Sequence, residues 1–305
     1  MPLWIPVTLF AAFMQTLRFT LQRHLKVTTL STAGATWARF LYSAPLVALV
    51  VAIYAQVSAQ ALPTPGAGFW SFLIPGALAQ VLGTMCVVAL FALRNFAVGI
   101  TLMKTEVILT ALFGLLLLGE AITPPILFAI GLGFVGVVLL SDPPKGDTAL
   151  PWRARLFNAA SGYGLASGVV FGISAVGYRG AALSLPAGDV FLRASLTLAM
   201  ATAVQAVALG LWLAWRERGE VGRVLSSWRI SGLVGLTSML GSLGWFTAFT
   251  LQTAALVKAL GQIELVFTFL VSVFWLRERS SPKEIAGLAL LVASIGVIFW
   301  RGVAA

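Results

Sequence analysis

One stretch of this chain occurs twice, and the repeat limits what the chain can fold into. Residues 106–140 and 264–298 align at an offset of 158 positions, which places Glu106 on Glu264. Each copy consists of two long apolar stretches joined by a short polar hinge. An acidic residue inside an apolar stretch of a duplicated unit is typical of a membrane transporter and not of a soluble enzyme.

The composition indicates that most of the surface faces lipid. Of the 305 residues, 59% are hydrophobic and only 10% are charged, whereas soluble domains carry about 25% charged residues. The net charge of +10 raises the question of nucleic acid, but the charges lie in short loops between apolar stretches. Positive charge there sets the orientation of a membrane protein, so we expect lipid as a partner and no nucleic acid.

The sequence offers few groups for a cofactor or a metal. Cys86 is the only cysteine and His24 the only histidine, so we expect no disulfide framework, no metal centre and no cofactor. Met1 is followed by apolar residues without a basic segment, and we therefore expect no cleaved signal peptide.

The apolar stretches are long enough for ten membrane-spanning helices, since one span needs about 20 residues. The predicted spans are 3–22, 34–56, 69–92, 96–118, 122–140, 160–179, 188–214, 229–250, 253–275 and 283–300. Strands of a membrane barrel would alternate apolar and polar residues, and these stretches are continuous. The predicted fold is an all-α integral membrane protein.

Five spans in each half is an odd number, so the second half must enter the membrane upside down relative to the first. We therefore predict two inverted five-helix repeats, at residues 1–141 and 159–305. The polar stretch 142–158 is predicted to be a cytoplasmic linker between them.

The loop charges orient these spans. Only Arg179 and Arg301 fall on one side. Fourteen basic residues fall on the other, namely Arg18, Arg23, Lys26, Arg94, Lys145, Arg153, Arg155, Arg216, Arg218, Arg223, Arg229, Arg277, Arg279 and Lys283. Because basic loops stay in the cytoplasm, both termini are predicted on the non-cytoplasmic side of the cytoplasmic (inner) membrane.

Six ionisable residues fall within or near the ends of predicted spans, where a charge costs about 2.5–3.5 kcal/mol or more. They are Arg39, Lys104, Glu106, Arg193, Lys258 and Glu264. We expect the repeat mates Arg39 and Arg193 to extend to the lipid headgroups. The hinge residues Glu120 and Glu278 are expected to be helix-end charges.

The two lysines are predicted to pair with glutamates of the opposite half. Lys104 precedes Glu106 by two residues and Lys258 precedes Glu264 by six, so at 100° per residue neither lysine shares a face with its own glutamate. The predicted pairs are Lys104 with Glu264 and Lys258 with Glu106. Two interpretations remain open: a charged substrate site, or structural ion pairs that hold the halves together.

Polar and aromatic residues complete the predicted substrate site. Gln262 follows Lys258 by one turn, Gln15 and Tyr163 are predicted at comparable places of the two halves, and Trp245 lies four residues before Phe249, with which it can stack on a cation or a ring. Packing or an interfacial belt is the alternative for the aromatic residues. The predicted substrate-binding residues are Lys258, Glu264, Gln262, Lys104, Glu106, Gln15, Tyr163 and Trp245.

The repeated glutamates, the hinge, the Gly-rich helix after it and the ten spans resemble the drug/metabolite transporter superfamily, in particular its EamA-domain members. The resemblance implies a central cavity lined by spans one, three, four, six, eight and nine, and transport by rocking of the two halves. Gly119-Glu120 matches the hinge that is common in the family. Arg277-Glu278 departs from it, as does Phe13-Met14-Gln15, where members often carry Trp-Gly.

We therefore expect a monomeric secondary transporter that exports a small polar or amphipathic organic metabolite, such as an amino acid or an amine, across the cytoplasmic membrane. Its mechanism is expected to be alternating access, with Glu106 and Glu264 as the candidate sites if protons are the coupling ion. The alternatives are a lipid flippase or a non-transporting membrane scaffold. An enzyme is not expected, because no Ser–His–Asp, Cys–His or metal-spaced set occurs.

Overall fold

The computed structural model of the protein describes residues 1–93, 96–140, 158–270 and 282–304. Every regular element in these ranges is a helix. The helices are α1 (Trp4–Thr28), α2 (Thr32–Val57), α3 (Ala67–Leu90), α4 (Phe96–Met103), α5 (Glu106–Leu118), α6 (Pro124–Leu140), α7 (Ala159–Leu183), α8 (Val190–Arg216), α9 (Glu220–Ser226), α10 (Trp228–Leu251), α11 (Ala254–Gly261), α12 (Ile263–Leu270) and α13 (Pro282–Ala304).

Six of the segments are long and apolar enough to cross a membrane by length and composition. They are Thr32–Val57, Ala67–Leu90, Gly99–Leu118, Ala159–Leu183, Val190–Arg216 and Trp228–Leu251, and two shorter apolar helices lie at Pro124–Leu139 and Ile285–Ile298. The all-helical membrane fold is thus present, while the count of ten spans stays a prediction. The predicted linker, apart from Asn158, and the hinge residue Glu278 lie outside the described residues.

Polar caps and glycines place several helix ends. The side chains of Ser31, Asn158 and Asp189 accept hydrogen bonds from the backbone N–H groups three residues later, which begins α2, α7 and α8. Such caps satisfy N–H groups that have no partner within the helix. Gly119 ends α5 with φ of 67°, a left-handed conformation that glycine adopts without steric cost. The hinge therefore turns at the glycine of Gly119-Glu120.

The helices of one half pack mainly against helices of the other half. Helix α3 packs along α7, and α1 packs along α10. The second pair corresponds to the first when the two halves are exchanged. The pairs α2–α8 and α6–α13 each join equivalent helices of the two halves. The contact pattern thus follows the sequence repeat, and the interface between the halves runs through the middle of the protein.

Glycines allow these helices to approach closely. A Cβ atom on Gly177 of α7 would lie 2.9 Å from the carbonyl oxygen of Phe72 and 3.1 Å from the Cα of Gly76 in α3. The repeat mates Gly83 and Gly241 pack on α7 and α1 respectively. Contact between small residues is a common way for helices to associate in lipid, where burial of apolar groups supplies little driving force.

Two acidic residues connect α8 to the ends of α2. Asp189, which precedes α8, accepts hydrogen bonds of 2.7 Å from the Tyr54 hydroxyl and the Gln60 amide at the end of α2. Glu220, which follows α8 and is fully buried, accepts a 2.5 Å bond from the backbone N–H of Ser31 at the start of α2. The α2–α8 pair is therefore held at both ends by carboxylates.

The outer surface of the bundle is apolar. Large side chains on several helices are strongly exposed, among them Leu116 at 68%, Phe128 at 67% and Leu211 at 68%. Exposed apolar surface of this kind would associate in water, whereas lipid solvates it. The apolar exterior is what a multi-pass membrane protein requires.

The glycine contact of α7 leads to a stability prediction. Gly177→Ala should lower the stability of the protein by about 1–3 kcal/mol, because the added methyl group overpacks the α3–α7 contact. Gly162→Ala on the same helix is the matched control, since a Cβ there meets nothing within 4 Å. Thermal unfolding of the two purified variants in detergent measures the difference. Equal melting temperatures would contradict the proposed role of the contact.

Candidate functional site

Two of the predicted spans are each broken into two helices, at positions that the repeat makes equivalent. Helix α4 ends at Met103 and α5 begins at Glu106, while α11 ends at Gly261 and α12 begins at Ile263. Sequence reasoning treated both spans as continuous. Interrupted helices near the middle of the membrane are a recurrent way for transporters to build a binding site.

Local contacts account for the breaks. The Thr105 hydroxyl donates a 2.7 Å hydrogen bond to the Leu102 carbonyl, which competes with regular helical bonding. Gly168 of α7 makes room for this break, because a Cβ there would lie 2.7 Å from the Thr105 hydroxyl. At the second break the indole of Trp245 occupies the space where a Cβ of Gly261 would lie.

Two lysine–glutamate pairs cross between the halves beside these breaks. Lys104 pairs with Glu264, and Lys258 pairs with Glu106 at 3.4 Å. Both predicted pairings are confirmed. The side chains are 2–12% exposed, so each charge has its partner where water has little access. Gln15 adds a 2.7 Å hydrogen bond from its amide to the second carboxylate oxygen of Glu264.

Aromatic rings surround the ammonium group of Lys258. Its Nζ lies 5.2 Å from the centroid of Trp245, 5.7 Å from Phe171 and 6.0 Å from Phe249. Trp245 and Phe249 stack with centroids 5.9 Å apart. Ring faces attract cations at these distances, so the expectation that this pair stacks on a cation holds for Lys258. We call Trp245, Phe171 and Phe249 the aromatic box.

A small cavity lies between the halves, next to the aromatic box. It encloses about 40 Å³ and is lined by residues of both halves, including Gln15, Glu106, Trp245 and Lys258. Pockets for small organic ligands usually measure about 300–1,000 Å³. The cavity in this conformation is therefore too small for a metabolite, and a substrate needs a more open form.

Two arginines that sequence reasoning placed elsewhere also line this cavity. Arg39 was expected at the headgroups, but it is 5% exposed and donates to Ser238 at 2.9 Å and Thr84 at 3.0 Å. Arg18 was counted as a cytoplasmic loop charge, but it is 4% exposed within α1. Both expectations are wrong, because hydroxyl and amide acceptors inside the bundle hold the guanidinium groups there. No sequence signal identifies these contacts for Arg39, because its hydroxyl partners come from two other helices.

Four of the predicted site residues do not line this cavity, namely Lys104, Glu264, Gln262 and Tyr163. Gln262 is buried but lies beside Gly133 and Ser294, toward α6 and α13. It does not share a face with Lys258 because the helix breaks between them. Tyr163 is 41% exposed near the start of α7, whereas Gln15 is in the middle of α1, so the two do not occupy comparable places.

A polar network forms one wall of the cavity. The Tyr178 hydroxyl donates to the Gln80 side chain at 2.8 Å, and the Gln205 amide donates to both at 2.8–2.9 Å. Tyr178 also packs its ring on Phe246, with centroids 4.2 Å apart. This network joins α3, α7 and α8 and keeps the wall beside the arginines polar.

An arginine beside the cavity contacts the backbone of the lining residue Phe249. Arg179 of α7 pairs with Glu120 at the hinge and donates to the carbonyl oxygens of Phe249 at 2.5 Å and Gln252 at 2.7 Å. These contacts tie together the ends of α5, α7 and α10. We call this group the Arg179 latch. Glu120 is a helix-end charge as expected, with a partner in the other half.

A second, apolar cavity opens at the side of the bundle. It measures about 420 Å³ and lies between α1, α4 and α12, with Phe13, Phe91, Phe267 and Glu264 in its wall. Phe13 is 47% exposed, so the cavity reaches the surface that lipid covers. In the described ranges no group of three or more His, Cys, Asp or Glu residues could hold a metal ion.

The buried pair Lys104–Glu264 predicts a coupled effect of mutations on stability. Lys104→Met or Glu264→Gln alone should destabilise the protein by about 3–5 kcal/mol, because each leaves a charge without its partner. The double variant should recover much of this loss. A double-mutant cycle of melting temperatures measures the coupling, and purely additive losses would contradict the pairing.

The comparisons with known proteins agree with this architecture. No curated protein matches the chain at a significant level. One crystal structure is similar to it over 96% of this chain and 95% of the other, with a TM-score of 0.70 and 16% identity; at this identity the likeness shows the fold alone. The EamA-like transporter family matches residues 2–142 and 159–300, which covers both repeats. The chain belongs to the EamA-like transporter family, whose members are membrane transporters of the drug/metabolite type.

Proposed function

We propose that the protein is a secondary transporter that moves a small polar or amphipathic organic metabolite, of the amino-acid or amine type, by alternating access. The observation that carries the proposal is the pair of lysine–glutamate bridges between the halves, beside a cavity that residues of both halves line. Charges buried in a membrane are costly, and they are characteristic of substrate and ion pathways.

The same bridges supply a mechanism for coupling. When the halves move relative to each other, the 3.4 Å contact between Lys258 and Glu106 breaks or changes its geometry. The two residues then bind substrate or protons in place of each other. A substrate that carries both charges can replace the pair without leaving either residue uncompensated. Glu106 and Glu264 are our candidates for proton binding, and export is our proposed direction.

We further propose ten spans arranged as inverted repeats, with both termini outside the cytoplasm. The exchange of helix contacts between the halves supports a two-fold relation between them. Arg18 is buried and the side chain of Arg179 is only 13% exposed. Each side therefore loses one basic residue, and the count of fourteen against two becomes thirteen against one. In this orientation the Arg179 latch closes the cavity toward the non-cytoplasmic side.

A lipid flippase is the second candidate, and the side cavity of about 420 Å³ favours it. Its apolar wall ends at Glu264, so an amphipathic molecule could enter from the lipid with its polar group toward the Lys104–Glu264 pair. Proteoliposomes distinguish the two candidates. Uptake of labelled amino acids or amines supports the metabolite transporter, and movement of a labelled phospholipid between leaflets without such uptake supports the flippase.

Lys258→Met is the mutation that tests the site. It should lower flux about tenfold or more, equivalent to about 1.4 kcal/mol or more, because the charge beside Glu106 and in the aromatic box is lost. The melting temperature should also fall, because the variant leaves the buried carboxylate of Glu106 without its partner, so flux is compared at a temperature at which both proteins are folded. Lys26→Met, at the end of α1, is the matched control. Normal flux in Lys258→Met, or a loss explained entirely by unfolding, would mean that the pair is only structural.

The Arg179 latch predicts a change in access to the cavity. In a Cys86→Ala background, Ser174→Cys places a thiol in the cavity wall. Adding Arg179→Gln should raise labelling of this thiol severalfold in intact cells treated with a membrane-impermeant thiol reagent, because α5, α7 and α10 are no longer tied together.

Arg223→Gln is the matched control for the latch. It breaks the Arg223–Glu220 pair, which does not border the cavity, and should leave the labelling unchanged. Unchanged labelling in Arg179→Gln would contradict the role of the latch. If Arg179→Gln raises the labelling in inside-out vesicles but not in intact cells, the proposed orientation is contradicted.

A further inference from the structure

Two guanidinium groups lie inside the protein without an acidic partner among the described residues. Arg18 and Arg39 both line the central cavity, and both side chains are buried, at 4% and 5% exposure. The acidic residues of the site, Glu106 and Glu264, are already paired with lysines of the opposite half. The described site therefore holds an excess of two positive charges.

The partners of these arginines are neutral groups. Arg39 donates to the hydroxyls of Ser238 at 2.9 Å, Thr84 at 3.0 Å and Ser242 at 3.4 Å. Arg18 donates to the side-chain oxygen of Gln22 at 3.0 Å. A guanidinium group has five N–H donors, so both arginines retain donors that these contacts do not use.

Hydroxyl and amide oxygens orient a guanidinium group without neutralising it. A buried charge with no counter-charge is costly, and Ser238, Thr84 and Ser242 hold Arg39 in place by contacts from α3 and α10. The arrangement is therefore positioned for an anion that arrives from outside. The planar fork of arginine matches a carboxylate, to which it can donate two parallel hydrogen bonds.

We propose that Arg18 and Arg39 form an anion subsite of the central cavity that binds a carboxylate group of the transported compound. The inference rests on the proposed transport function and specifies its substrate class as organic compounds with a carboxylate. The aromatic box and Glu106 border the same cavity, so a ring or an ammonium group of the same compound has a separate place to bind.

Acetate is the probe, because a cavity of about 40 Å³ admits only a small anion in this conformation. The melting temperature of the purified protein is measured against sodium acetate, with the ionic strength held constant by sodium HEPES, whose anion is too large for the cavity. Acetate should raise the melting temperature in a saturable manner, because a ligand of the folded state stabilises it. Acetamide, a neutral molecule of nearly the same size and shape, should not raise the melting temperature.

Arg39→Gln and Arg18→Gln should each weaken the apparent affinity for acetate by about tenfold or more, since each removes hydrogen bonds to a charged group. Two variants keep the test available if one of them does not fold. Arg193→Gln is the matched control, because Arg193 is the repeat mate of Arg39 and does not line the cavity. It should bind acetate like the unmodified protein.

The outcomes separate this proposal from the transport function. No stabilisation by acetate, an equal effect of acetamide, or stabilisation by acetate that persists in both cavity variants would overturn the anion subsite. If any of these results is found together with flux of amines that lack a carboxylate, the protein is a transporter without this anion subsite. Saturable acetate binding that needs both arginines, in a protein with no flux of any compound, would support the subsite and overturn the transporter.

Discussion

The cost of a charge inside a membrane explains how the centre of this protein is organised. Four ionisable side chains near the two helix breaks would each be costly in lipid, and they are arranged as two pairs that cross between the halves. Each lysine pairs with a glutamate of the opposite half, so these pairs form only when the halves are together. The same contacts that compensate the charges therefore hold the two repeats against each other.

The packing around these pairs combines close contact with interruptions. Glycines such as Gly177 and Gly168 bring α7 against α3 and against the break at Thr105. Other contacts at the ends of the bundle depend on single polar groups, as in the Arg179 latch and the carboxylates of Asp189 and Glu220. Close packing along the helices is thus combined with separate polar contacts at their ends.

Much of the fold and part of the site could be predicted from the residues. The apolar stretches begin within two positions of helix starts, and the helical angle between Lys104 and Glu106 led to the correct cross-pairing. The breaks were missed because no proline marks them; they arise from a hydroxyl contact of Thr105 and from the packing of Trp245 on Gly261. Gln262 was misplaced for the same reason, since a break changes the face of every later residue.

The sequence by itself determined the membrane environment, the helical class, the duplicated halves and the need to compensate four charges, because hydrophobicity, length and periodicity are properties of the chain alone. Only the tertiary structure decided which polar groups surround each remaining charge. Arg39 is central and not at the headgroups because Ser238, Thr84 and Ser242 come from helices far away in sequence. Hydroxyls of serine and threonine are common in such helices, and nothing in their spacing indicates that they converge on one guanidinium group.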